Sequence, residues 1–376
     1  MPFQSRSVMS SRKEFVEQAL KGEISIRKLC RRFGISPTTG YKWLGRWEGN
    51  DASLMNRSRR PMTSPMKTLG EIEGLVLGVR EKHPRWGARK IRRRLQDLGE
   101  KRVPSPSTIT EILRRNGKID ADEAAKHVPW KRFEKDEPME LLQMDFKGHF
   151  PVGTGRCHPL TILDDHSRFA LGLQACSNER TEPVQECLTG VFRRYGLPRA
   201  IITDNGSPWA FPGSRALTRL EVWLIRLGIE VKKSAPSHPQ TMGKDERLHR
   251  SLKAEVLQGR NFWNIEECQE AFDKWRHVYN HERPHQAIGM EVPAKRFRPS
   301  EIDFPENLPE IEYSPDDIVR VVRSEGIIRF GNRKYWLGRS LTGYPVAVRP
   351  TIEDGVYEIY FCRQFIISVN HSQGTP

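Results

Sequence analysis

The hydrophobic period of this 376-residue chain changes three times along its length, and a period that suits a helix cannot be laid out as a strand. Up to about residue 118 apolar residues recur at helical spacing. From Leu141 the texture turns to short β-type runs, "LLQMDFKGHF", "HPLTILDDHS", "RFALGLQAC" and "RAIITDNG", with the helical stretch "EPVQECLTGVFRRYG" before the last of them. Helical spacing returns over residues 241–257 and 265–281. Residues 317–370 then alternate as strands, "DIVRVVR", "GIIRF", "RKYWL", "YPVAVRP", "VYEIYF" and "FIISV", broken by turn signals. At roughly 150 residues per domain the chain is also too long for one ordinary core. The expected organisation is a helical domain over residues 1–55, a linker over 56–70, a second helical domain over 71–120, a linker over 121–137, an α/β core over 138–300, a linker over 301–316, and a small C-terminal β-barrel over 317–376.

Charge follows the same boundaries. Residues 1–130 hold 28 Lys and Arg against 14 Asp and Glu, whereas the remainder holds 34 against 33. Charge that served only solubility would not segregate in this way; a nucleic-acid-binding region joined to a near-neutral region would. The six cysteines are scattered and form no C-x-x-C pair, so free thiols in a reducing compartment are expected. The N-terminus has no apolar signal core and no stretch reaches ~18 apolar residues. A soluble, cytoplasmic protein is expected.

Within residues 11–47 three short helices are expected, with the turn "FGIS" ahead of the third, Ser36 as its N-cap and Pro37 at its first position. This is the helix-turn-helix pattern. It puts Thr38, Thr39, Tyr41, Lys42 and Arg46 on the helix that would meet base edges and phosphates. Arg59 and Arg60 in "NRSRRPMTSP" could track a phosphate backbone from an extended linker. "STITEILRRN", following "VPSP", repeats the arrangement and gives Ser107 and Thr108 the corresponding place. The plainer alternative, a small bundle with a solvated basic surface, is disfavoured by the charge segregation.

Three carboxylates stand out. Asp145 lies mid-strand in "LLQMDFKG", where an ionised group among apolar neighbours is costly unless paired or bound to a cation. Asp204 closes the strand "AIITD", at the strand end where α/β folds carry functional groups. In "HPQTMGKDERLHRSLK", Leu248, Leu252 and Val256 mark a buried helical stripe, while Glu246, Arg250 and Lys253 share another face. Asp245 is turned about 100° from Glu246 and is expected to be solvated or locally paired. Two Asp and one Glu brought together make a hard oxygen site suited to Mg²⁺, with Mn²⁺ as a substitute. Two such ions per site would serve an in-line phosphodiester displacement. The neighbouring acids Asp164 and Asp165 of "DDHSRF" read as turn residues, and His249, with no second His at metal spacing, as a DNA or structural contact.

The motifs "QMDFKG", "LDDHSRF", "IITDNGSPW", "SHPQTMGKDERLHRSLK" and "YNHERPHQAIGMEVPAKRF" occur in the order found in bacterial insertion-sequence DDE transposases of the retroviral-integrase superfamily, and residues 140–297 resemble that catalytic region. The resemblance implies a ribonuclease H-like core, Asp145, Asp204 and Glu246 as the catalytic and metal-binding triad, and Lys253 as the basic residue beyond the Glu. Helix-turn-helix units and a small C-terminal barrel also resemble that group. The 41 residues between Asp204 and Glu246 exceed the usual retroviral spacing, a departure for which the loop "SPWAFPGSRAL" accounts; no His/Cys zinc domain precedes the core, which favours a transposase over a retroviral integrase. The implied activity is binding of an element's terminal inverted repeats, metal-dependent cleavage at its ends, and joining of the 3′-hydroxyls to target DNA. Two ends must be held, so a homodimer or larger synaptic assembly is expected. A non-joining nuclease of the same fold and a catalytically silent DNA-binding regulator are the alternatives.

Overall fold

The computed structural model describes residues 7–56, 68–119, 134–211, 214, 216–234 and 243–370. The chain divides into two compact units, Met1–Lys67 and Thr68–Pro376.

The first unit contains α1 (Val8–Leu20), α2 (Ile26–Arg32) and α3 (Pro37–Leu44). The start of α3 is set locally: Ser36 Oγ accepts from Thr39 N at 3.2 Å and Pro37 opens the first turn. Phe15, Val16, Leu29, Cys30, Trp43 and Leu54 form its core. Gly40 lets α3 approach closely, since a Cβ there would lie 2.5 Å from Cys30 Sγ.

The second unit begins with α4 (Gly70–Lys82), α5 (Ala88–Asp97) and α6 (Pro106–Arg115). Ser105 caps α6 as Ser36 caps α3, accepting from Thr108 N at 3.2 Å. These helices bury Val76, Trp86, Ile91, Leu95, Ile109 and Leu113 with Val278 packed against them. An ion pair of 2.6 Å joins Arg94 to Glu282.

A mixed sheet follows, built from β1 (Leu142–Phe146), β2 (Phe150–Val152), β3 (Gly155–Asp164), β4 (Ala170–Cys176), β5 (Ala200–Thr203) and β6 (Glu230–Lys233). Its spatial order is β4-β3-β1-β5-β6, with β2 lying along the start of β3. The β4–β3 and β3–β1 pairs are antiparallel; β1–β5 and β5–β6 are parallel. Strand alternation splits the side chains between two cores. Leu142, Met144 and Phe146 face α7 (Thr181–Tyr195) and α8 (Arg219–Arg226). Leu163, Ala170, Leu173 and Ala175 face α9 (Gly243–Leu252) and α10 (Ile265–His281). A π-helical turn, Lys253–Leu257, extends α9.

After α11 (Pro293–Arg296) the chain forms β7 (Ile318–Val321), β8 (Ile327–Phe330), β9 (Arg333–Trp336), β10 (Pro345–Pro350), β11 (Val356–Phe361) and β12 (Gln364–Asn370). The expected barrel is instead a four-stranded antiparallel sheet, β12-β11-β10-β7, beside the hairpin β8-β9, with no ladder among the described residues to close it. Val222 and Ile225 of α8 enter the core of this C-terminal region, which removes the need for closure: a helix from the mixed-sheet core covers its apolar face.

Candidate active site

Asp145 sits on β1, the central strand, and faces α9 because its neighbours Met144 and Phe146 take the opposite face. Across the antiparallel ladder it is paired with Thr161. On the parallel side Leu142 aligns with Ile201 and Gln143 with Ile202. Carried two residues further, that register sets Asp145 beside Asp204, at the strand ends. Asp204 Oδ1 accepts from Gly206 N at 2.9 Å. The Asp145 carboxyl is pushed up to about 7, first by burial, then by the charge of Asp245, with Asp204 adding and His249 opposing. A carboxylate so crowded gains most from a bound cation.

The α9 acid packed into this cluster is Asp245. Asp245 is fully buried, whereas Glu246 is exposed in the first turn of α9. Asp245 Oδ2 accepts from Thr161 Oγ1 at 2.9 Å and lies 3.0 Å from His249 Nε2. His249 Nε2 is also 2.8 Å from Thr161 Oγ1, which in turn reaches the Asp145 carbonyl oxygen at 3.0 Å. Asp245 is therefore buried rather than solvated, and His249, one turn along the helix, supplies the local pairing that the sequence left open. Asp245 stands three residues before Leu248 and seven before Leu252, both buried, so it belongs to their stripe. Asp145, Asp245 and His249 can bring one ligand atom each within 4.8 Å of one another, and Asp245 Oδ1 is buried with no hydrogen-bond partner among the described residues. Burial opposes the charged form of His249, but Asp245, through its charge and hydrogen bond, and then Asp145 hold its pKa above the ordinary value.

Glu246 lies one residue from this cluster on the rim of α9, with Arg250 and Lys253 also exposed along the helix. A further cation stands near the acids that the sequence reading did not single out. Lys147 lies two residues beyond Asp145, on the same side of the strand, and its pKa is lowered by burial and then by Lys253. The two cations therefore stand close together beside the acids. The period-two spacing from Asp145 was the available signal.

In the first unit Thr38, Tyr41 and Lys42 are exposed, and Thr39 is half-buried in the cap of α3. The Lys42 ammonium and Arg46 guanidinium lie 5.1 and 5.3 Å from the Trp43 ring centroid. In the second unit Ser107 is exposed, and Thr108 Oγ1 is 3.0 Å from Ser105 Oγ. Arg59 and Arg60 lie outside the described residues.

Models of the Integrase core domain match residues 135–239 and 227–293. A Helix-turn-helix domain model matches residues 11–62 and a Homeodomain-like domain model residues 39–113. The model "IS481 family transposase, C-terminal domain" matches residues 317–373. An insertion element IS476 protein of Xanthomonas euvesicatoria is 24% identical over 255 residues, 65% of this chain and 69% of that protein. An insertion element IS407 protein of Burkholderia multivorans is 25% identical over 158 residues, 42% of this chain and 55% of that one. The Gag-Pol polyprotein of baboon endogenous virus is 28% identical over 154 residues, 40% of this chain but only 9% of the polyprotein. Among solved structures, a chain of the simian T-cell lymphotropic virus intasome in complex with PP2A regulatory subunit B56 gamma is 14% identical. It is covered completely by 80% of this chain at a TM-score of 0.40, too distant to carry residue assignments.

Proposed function

The chain belongs to the insertion-sequence transposases of the integrase superfamily, and on that premise we propose that it binds the terminal inverted repeats of its element, cleaves the DNA ends and joins their 3′-hydroxyls to target DNA. The observation that carries this reading is the placement of Asp145 on β1 and of Asp204 directly after β5, its parallel neighbour, with α9 docked on the same side of the sheet. We assign Asp145, Asp204 and Glu246 as the catalytic carboxylates of a ribonuclease H-like core. The donor set suits hard cations: the acids crowd one another, and Asp245 leaves a buried oxygen unpartnered. Mg²⁺ or Mn²⁺, two ions per site, held by Asp145, Asp204 and Glu246, would polarise the attacking oxygen and neutralise charge on the leaving one.

The chain's own residues do the rest. Lys147 and Lys253 present positive charge beside the acids, where the phosphates of a DNA end would lie. Arg250 extends that charge along the rim of α9. Thr38, Thr39, Tyr41, Lys42, Arg46, Ser107 and Thr108 would read the element ends from α3 and α6, with Arg59 and Arg60 on the backbone. Because both ends must be joined, the working form would be a homodimer or larger assembly.

The test is incubation of the full chain with DNA flanking its own gene and Mg²⁺, mapping nicks to the nucleotide and assaying for joined product. Nicks at the element ends with joined strands are expected. Cleavage without joining, or no cleavage in Mg²⁺ or Mn²⁺, overturns the reading.

A further inference from the structure

We propose that Asp165, Lys244 and Gln143 form a clamp on the first turn of α9 that fixes its rotation, holding Asp245 against Thr161 and His249 and thereby Glu246 on the rim beside the cluster; they are positioning residues for Glu246, an inference that rests on the role assigned above to that residue. Asp165 is fully buried, and it does more than shape a turn. Its Oδ1 accepts from Gln143 Nε2 at 2.8 Å and from Lys244 Nζ at 2.5 Å, and its Oδ2 accepts from the backbone N of Lys135 at 2.8 Å. Lys244 Nζ also donates to the Asp165 carbonyl at 3.1 Å. Gln143 uses its other end on the helix: its Oε1 accepts from the backbone N of Asp245 at 3.2 Å.

That last bond occupies one of the N–H groups that a helix start leaves without an internal partner. Gln143 and Asp145 share one face of β1, two residues apart. The strand that presents the first carboxylate therefore also fixes the rotation of the helix that presents the last. Rotation matters here because "DE" is degenerate. A turn of α9 by one residue, about 100°, would exchange a buried Asp for a Glu and take Asp245 away from Thr161 and His249. Ordinary apolar packing of Leu248 and Leu252 opposes such a turn; the clamp opposes it at the end of the helix where the acids are.

The test uses the full chain with Lys244→Ala, Lys244→Arg and Gln143→Leu, and with Glu246→Gln alongside. Backbone hydrogen exchange across α9, Mn²⁺ affinity without DNA, and kcat and KM for nicking of an element end are measured. Lys244→Ala is expected to speed exchange in the first turn of α9 at least tenfold while β1 and β5 stay protected. It is also expected to weaken Mn²⁺ binding and to lower kcat at least tenfold at unchanged KM, with Lys244→Arg recovering most of the loss. Gln143→Leu is expected to follow Lys244→Ala; should it fail to fold, Lys244→Ala carries the test alone. Parental exchange and kcat in Lys244→Ala, while Glu246→Gln is inactive, overturns the clamp. Parental nicking by Glu246→Gln overturns the assignment of that residue instead.

Discussion

At the scale of single residues, the neighbouring acids of α9 have opposite surroundings. Glu246→Gln keeps the volume and leaves the helix surface intact, so element-end binding should persist while nicking falls by about a hundredfold or more, through loss of a metal-binding charge. Gel-shift and nicking assays on the same preparation separate the two effects. Asp245→Asn acts differently. It removes the charged acceptor shared by Thr161 and His249 in a fully buried position, where hydrogen bonds to an ionised group contribute about 1.5–3 kcal/mol. A loss of stability of that order, measured by urea denaturation, is expected; an unchanged midpoint would mean that its hydrogen bonds to Thr161 and His249 contribute nothing to stability. The burial of Asp245 was legible in principle. The stripe through Leu248 and Leu252 passes through it, but its charge argued for solvent, and a nonlocal partner such as Thr161 on β3 cannot be seen in a local pattern. Asp145 and Asp204 were legible because strand texture locates their ends and parallel pairing does the rest.

Among the elements, helix starts were plain in the sequence because they are local: Ser36-Pro37 and Ser105-Pro106 each encode a cap and a first turn. The C-terminal sheet was not, since closure depends on pairing between strands far apart and on α8, which covers its core. β4 shows a second nonlocal device. Among the described residues it pairs only with β3, yet α10 meets its open edge with side chains. Asn280 accepts from Ala170 N at 2.9 Å and donates to Ala170 O at 3.0 Å, and Gln269 does the same for Ala175 N at 2.7 Å and Leu173 O at 3.1 Å. Asn280→Ala should therefore strand a buried donor and acceptor and cost about 1–3 kcal/mol. It should also make the edge available to other strands; thermal denaturation and light scattering report the two effects. On α5, Lys90 is drawn down to about 7, chiefly by burial, then by Arg283, with Glu255 opposing. Between about 7 and the ordinary lysine value of 10.5 the unfolded chain holds a proton that the folded chain has released. The contribution of this group to stability therefore rises with pH across that window. Lys90→Met should raise the Tm most near about pH 6, with the gain shrinking toward pH 10; a gain that does not depend on pH would assign the effect to packing alone.

For the molecule as a whole, more than half of the net positive charge, +9 of +15, falls in the first compact unit, and the rest is carried mostly by the second helical set. Residues 1–67 carry 14 Lys and Arg against 5 Asp and Glu, whereas residues 68–376 carry 48 against 42. The first 67 residues also form one of the two compact units, with a core of their own around Phe15, Leu29 and Trp43. A cut near residue 130, by contrast, would strip the second helical set of Val278 and of the Arg94–Glu282 ion pair. A 1–67 fragment should accordingly fold alone and bind DNA with a steep salt dependence. If α3 neutralises roughly four phosphates, affinity should fall about a hundredfold between about 50 and 200 mM salt, from counterion release. Lys42→Ala should flatten that slope by about one unit for every DNA sequence, whereas Thr38→Ala should change preference among sequences with the slope intact. Fluorescence anisotropy over a salt series, with element-end and scrambled duplexes, measures both. A 68–376 fragment that selects element ends as well as the full chain does would move sequence reading from α3 to α6, with the charge of the first unit left as a general attraction for DNA.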